Sequence, residues 1–308
     1  MLSNDSTDIT AQVAAWIDDF PGHAQAVDAI AALGEAAIPA LRAYVAGDPQ
    51  AIPQARCFAV AMLARFDADT ATSALRAVLR LHPLKALAPP YAESEYVVKS
   101  EALQALCRRS CPQLADDIAI AVHERLRVGV RAVGTHGLAG LADAVVDVLD
   151  DDVLAEAAAG ALALVGSAST TAIMPRLDAW LAEAEWSARR RLALLRALRV
   201  LHGLHARLGP GVSTHALAAV HPAVRAAAAL LAWPGRRDPV VTEALLRGAV
   251  GCDRDLADLC RAASEQAGPD LPGSARQALR RNAEPDIYGE LHPLSAAQRD
   301  WLERRLRA

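Results

Sequence analysis

The chain has 308 residues, 53% of them hydrophobic but only 4% aromatic, with 32 basic and 36 acidic side chains and a net charge of −4. A chain this long buries a sizeable apolar core without disulfides or metal, and 22% charged residues is ordinary for a folded protein, so wholesale disorder is excluded. The negative balance argues against bulk binding to nucleic acid or anionic membrane, and no run nears the roughly 20 apolar residues of a membrane helix.

Residues 1–22 read as an N-terminal segment with a first helix. MLSNDSTDIT lacks the basic and apolar regions of a signal peptide, which points to a cytoplasmic chain. From there onward alanine, leucine and arginine dominate, all helix formers, and alternating runs of β-branched or aromatic residues are scarce. Apolar residues recur at helical spacing: Ile38, Leu41 and Val45; Leu75, Val78 and Leu79; Ile118, Val122 and Leu126; Leu138, Leu141, Val145 and Val148. After Ser187, residues Leu194, Leu195, Leu198, Leu201, Leu204 and Leu208 share one face. Pro21-Gly22, Gly47-Asp48-Pro49, Gly166-Ser167, Gly209-Pro210-Gly211 and Pro234-Gly235 interrupt the stripes. The pattern predicts helices of about 10–20 residues joined by short turns, stacked antiparallel. Residues 82–96, HPLKALAPPYAESEY, predict an inserted loop. Its Tyr91 and Tyr96 have two readings, anchors for a partner or side chains packed back onto the array. Residues 267–308 read as a Pro- and Gly-rich linker and a C-terminal capping helix over Ser295–Arg307, with Arg304, Arg305 and Arg307 suited to the dipole at its end.

A coarse internal repeat overlies these helices. Leu33-Gly34 is followed by Ile38-Pro39-Ala40-Leu41, and Val165-Gly166 by Ile173-Met174-Pro175-Arg176-Leu177, a turn glycine and then a helix expected to carry proline near its start. Asp150-Asp151-Asp152, His221-Pro222 and Asp238-Pro239 open further Ala-rich helices. On these residues the chain resembles the HEAT-repeat family, in particular its short bacterial repeats, over roughly residues 23–266. The resemblance implies an all-α fold, an α-α superhelix of about six or seven irregular helical pairs whose second helices line a concave protein-binding face. It implies no single activity.

Charge is uneven along the chain. Residues 1–150 hold 12 basic and 18 acidic side chains, and residues 151–308 hold 20 and 18. Asp143, Asp147 and Asp150 form an acidic stripe opposite an apolar one, while Arg189, Arg196 and Arg207 form a basic stripe on a later helix, with Arg190 and Arg199 nearby. Such stripes either neutralise each other or present a dipolar surface to a partner. Arg42, Arg76, Arg80, His123, Arg127, Asp143 and Asp147 fall opposite or beside the apolar stripes and, with Arg189, Arg196, Tyr91 and Tyr96, are the candidate partner-binding residues.

Signals for chemistry are sparse. The single His-Glu dyad, His123-Glu124, falls short of the several that HEAT-like di-iron enzymes carry. His202, His205, His215 and His221 cluster in sequence, but their spacing matches no zinc pattern, and His205 projects onto the apolar stripe. Cys107 and Cys111 alone make an incomplete metal site. The five cysteines, with Cys57, Cys252 and Cys260, read as reduced thiols. There is no phosphate loop after a strand and no nucleophile elbow. The sequence therefore predicts no catalytic residue, no metal and no cofactor, and a cytoplasmic module that binds another protein as scaffold, adaptor or inhibitor. Two alternatives of another class stand beside it: an enzyme or enzyme subunit like the HEAT-like chromophore lyases, and a DNA glycosylase of HEAT-like type, which requires a continuous basic channel.

Overall fold

The computed structural model describes residues 4–19, 22–48, 52–109, 111–233, 239–265, 276, 279–286, 288 and 290–307. The predicted breakers Pro21, Pro49 and Pro234-Gly235, the helix-opening Asp238, and residues 267–275 of the linker lie outside them. Among the described residues the fold is all-α apart from one short hairpin, and the chain divides into two compact units, Met1–Leu141 and Ala142–Ala308. Among the described residues no single helix is long and apolar enough to cross a membrane.

The first unit holds α1 (Asn4–Asp18), α2 (His23–Ala32), α3 (Ile38–Val45), α4 (Pro53–Arg65), α5 (Asp69–Arg80), α6 (Pro89–Cys107), α7 (Leu114–His123) and α8 (Arg127–Thr135). Packing is mostly between helices one or two steps apart in sequence: α3 lies on α4 and α5, α4 on α5 and α6, α6 on α7 and α8. Their contact faces are the predicted stripes, with Leu41, Val45, Leu75, Val78, Leu79, Ile118 and Val122 all buried. Proline occupies the first turn of α3, α4 and α6, where its missing N–H costs no bond.

That rule also corrects the predicted loop over 82–96. Pro89 and Pro90 start a helix, and α6 runs for 19 residues through Tyr91 and Tyr96. Tyr96 lies against its own unit, its hydroxyl accepting a 3.0 Å bond from the Arg127 N–H at the start of α8. Tyr91 is half-buried in the first turn of α6.

Buried charges tie the first unit together. Arg56 on α4 and Glu95 on α6 are both 0% exposed and pair at 2.6 Å. The rest of the Arg56 guanidinium donates to the Val45 carbonyl that ends α3, at 3.0 and 3.2 Å. One turn further along α6, Lys99 pairs with Glu124 at 3.5 Å, and Glu124 also accepts from the Leu84 N–H. Burial pushes the Lys99 ammonium below its ordinary pKa, opposed by Glu124 and Glu95.

The second unit holds α9 (Ala142–Val146), α10 (Ala155–Val165), α11 (Ser167–Leu181), α12 (Ala188–Gly203), α13 (Pro210–Leu217), α14 (Pro222–Ala232), α15 (Pro239–Ala249) and α16 (Arg254–Glu265). Strands β1 (Ala283–Pro285) and β2 (Leu291–Pro293) follow, then α17 (Ala296–Arg307). The predicted linker therefore contains an antiparallel hairpin, with Glu284 opposite His292. The predicted capping helix is present. Its start is a reciprocal box in which Ser295 Oγ accepts from the Gln298 N–H and Gln298 Oε1 accepts from the Ser295 N–H.

One repeat feature fails. Gly166, at φ +77°, both ends α10 and starts α11, so Pro175 falls inside α11 rather than near its start. There it removes one backbone donor from the helix interior.

Two glycines separate close packing from mere tolerance. A Cβ at Gly248 on α15 would lie 2.5 Å from Ala226 Cβ and 2.6 Å from Cys260 Sγ, so α14 and α16 approach that helix through this position. A Cβ at Gly160 on α10 would meet nothing within 4 Å. In urea unfolding, Gly160→Ala is expected to stabilise the protein by about 1 kcal/mol, and Gly248→Ala to destabilise it by about 1–3 kcal/mol through overpacking. Arg56→Ala strands a buried carboxylate and is expected to cost about 3–5 kcal/mol, whereas the paired Arg56→Met/Glu95→Leu change recovers most of that loss.

Candidate functional site

The second unit carries an open cleft of about 730 Å³ at the ends of its helices. Its walls come from Leu181 at the end of α11, the connector Ala182–Trp186, Arg191 on α12, His215 on α13, Ala218–Pro222 and Pro285 of β1. The lining is mainly apolar, and it reaches the surface at Val220, which is 92% exposed. Trp186, half-buried, contributes an aromatic side chain to the same lining, a residue type enriched at recognition surfaces.

Each wall is held by a specific bond. The connector between α11 and α12 is too short to bury itself, so Trp186 turns back and its indole N–H donates to the Trp180 carbonyl at 2.9 Å. Arg190 lies 4.9 Å above the Trp180 ring and pairs with Glu183 at 3.0 Å, which fixes the rim. On the opposite side His221 caps α14. Its Nδ1 accepts from the Ala223 N–H at 3.3 Å, so Nε2 carries the proton and donates to the Asp286 carbonyl of the hairpin at 2.8 Å. Burial pushes the His221 imidazole below its ordinary pKa, opposed by the bond to Asp286 and reinforced by Arg191 and Arg225. Arg191 donates to the Tyr288 carbonyl at 3.2 Å, while its Nε is buried without a hydrogen-bond partner. Glu185 and His215 stand exposed at the rim, with His215 3.9 Å from Asp178.

The residues singled out from sequence do not converge here. Arg76 and Arg80 both turn onto the buried Asp117 of their own unit, at 2.9 and 3.3 Å. Asp147 pairs with Arg176 at 3.0 Å, and Arg196 bonds the Leu149 carbonyl at 2.8 Å and Asp152 at 3.3 Å. Neither pair joins the two stripes: Asp147 meets Arg176 and Arg196 meets Asp152, each outside the opposite stripe. Arg42, His123, Asp143 and Arg189 are exposed, Arg127 is half-buried beside Tyr96, and none of them lines the cleft.

The histidine cluster also disperses. His202 and His205 border a separate hollow of about 640 Å³ with Arg207 and Leu208, away from His215 and His221. His205 is exposed in a left-handed turn (φ 52°) after α12, not on the apolar stripe, because the helix ends at Gly203. All five cysteines are unpaired thiols. Burial pushes Cys260 up to about 12 and Cys57 up to about 11, so neither is a ready nucleophile.

Sequence reasoning missed Trp186, Arg191 and Val220. A tryptophan in the polar connector AEAEWSARRR and an apolar residue just before His221-Pro222 were the available signals. No family model matches the chain, and no curated protein matches it significantly.

Replacing His221 by alanine removes the α14 cap and strands the Asp286 carbonyl. The expected loss is about 1–3 kcal/mol in urea unfolding, with faster hydrogen exchange at the Asp286 amide, which otherwise donates to the Glu290 carbonyl at 2.8 Å.

Proposed function

We propose that this protein is a non-catalytic interaction module of HEAT-like type, and that the cleft of its second unit takes an extended segment of a partner protein. The observation that carries this reading is the cleft itself: about 730 Å³, mainly apolar within, and continued onto an exposed Val220. Three of its ionisable groups serve structure. His221 has both ring nitrogens engaged, Arg191 holds the hairpin, and Glu183 holds Arg190. A preformed cleft whose polar groups fix its own walls suits recognition of an apolar anchor. The lining also carries the exposed Glu185, so the segment that fits best places a basic residue beside its apolar anchor.

A peptide library displayed on phage, selected on the full chain and counter-selected on Val220→Asp, tests this. Enriched peptides are expected to pair an apolar or aromatic residue with Lys or Arg. Trp186→Ala is expected to weaken them about tenfold or more, in line with loss of an aromatic anchor, while Arg42→Ala leaves them unchanged. Failure to enrich any peptide, or equal binding to Val220→Asp, overturns the reading.

A further inference from the structure

We propose that Asp286, Glu290 and His292, on the hairpin that closes the second unit, form a binding site for a divalent transition-metal ion of the zinc class. One ligand atom from each lies within 4.8 Å of the other two. The hairpin produces this arrangement. The Asp286 N–H donates to the Glu290 carbonyl at 2.8 Å, closing the loop, and β2 then carries His292 two residues beyond Glu290.

The Asp286 carboxylate is oriented before any ion arrives. Its Oδ1 accepts from the Tyr288 and Glu290 N–H groups, each at 2.9 Å, and its Oδ2 lies 3.1 Å from His292 Nε2. Ligands bound at about 2.0–2.2 Å in tetrahedral geometry sit roughly 3.3–3.5 Å apart. The Asp286–His292 pair is already near that separation, and the exposed Glu290 closes the third side by rotation of its own side chain. The outer contacts match what holds known ligand sets in place: two backbone donors on the carboxylate, and the Asp286 carbonyl anchored by His221. One imidazole with two carboxylates favours zinc, and by the same chemistry cobalt or manganese, over calcium, which takes six or more oxygens. Three protein ligands leave a fourth position for water. The inference does not depend on the peptide reading of the cleft.

The test uses the full chain, stripped with chelator and dialysed, then titrated with Zn²⁺ by calorimetry and with Co²⁺ by visible absorption. The expected result is one equivalent of Zn²⁺ bound, a tetrahedral Co²⁺ spectrum, and a raised thermal midpoint. His292→Ala and Glu290→Gln, both at exposed positions, are expected to fold normally by circular dichroism and to weaken binding about tenfold or more. His136→Ala, exposed in the first unit, leaves binding unchanged. Zn²⁺ bound equally well by His292→Ala, or no binding at micromolar ion, overturns the site, and a rise in midpoint that survives both substitutions overturns it as well.

Discussion

A helix of eight to thirteen residues leaves its last four carbonyls without partners, and in a stack of short helices these ends fall inside the protein rather than in water. Here arginines from neighbouring elements supply the missing donors. Arg56 bonds the Val45 carbonyl at the end of α3. Arg109 bonds the carbonyls of Leu63, Ala64 and Phe66 at the end of α4, and its other amine meets Thr72. Arg196 bonds Leu149 after α9, and Arg261 bonds Ala249 at the end of α15. The positive group also meets the negative end of the helix dipole. A guanidinium offers five donors in a fixed plane and reaches several carbonyls at once, which a lysine ammonium does not. The two lysines, against thirty arginines, are consistent with that demand.

Close approach of Ala-rich helices is the second consequence of this composition. With 4% aromatic residues, the core is filled by Ala, Leu and Val, and helices meet through positions such as Gly248 and Gly129, where a Cβ would fall 2.5–2.6 Å from a neighbour. Small side chains bring backbones together, so any charge between them is fully desolvated. The Arg56–Glu95 pair and the doubly paired Asp117 are tolerated because each has a partner, without adding much net stability. Trp180, Trp233 and Trp301 are buried as well. Trp186 and Val220 sit at helix ends in the second unit, where packing leaves a cleft.

Helix content, the apolar stripes and most turns are legible along the chain because they depend on neighbours three or four residues away. Leu41, Leu75, Ile118 and Leu198 are buried as their spacing predicts, and α17 carries the start and end signals expected of it. The errors share a cause. Pro89-Pro90 reads equally as a loop or as the first turn of a helix, and the helix is the form in which Glu95, Tyr96 and Lys99 meet Arg56, the α8 N-terminus and Glu124. Pro175 reads as a helix start until Gly166 is seen to join two helices without a linker.

Function-bearing residues were less legible, for a physical reason. Whether Arg76 and Arg80 face water or the buried Asp117 is decided 37 and 41 residues away, by how α5 lies on α7. The cleft draws on α11, α12, α13, the start of α14 and a hairpin more than sixty residues further on, and the Asp286, Glu290 and His292 atoms converge only once β1 and β2 pair. The amino-acid sequence by itself determined an all-α chain with small-residue cores and arginine-rich polar faces, since these are properties of local periodicity and composition. Tertiary structure alone decided which charges became internal caps, which apolar groups stayed exposed, and which ligand atoms came within reach of one another, because each requires side chains distant in sequence to meet.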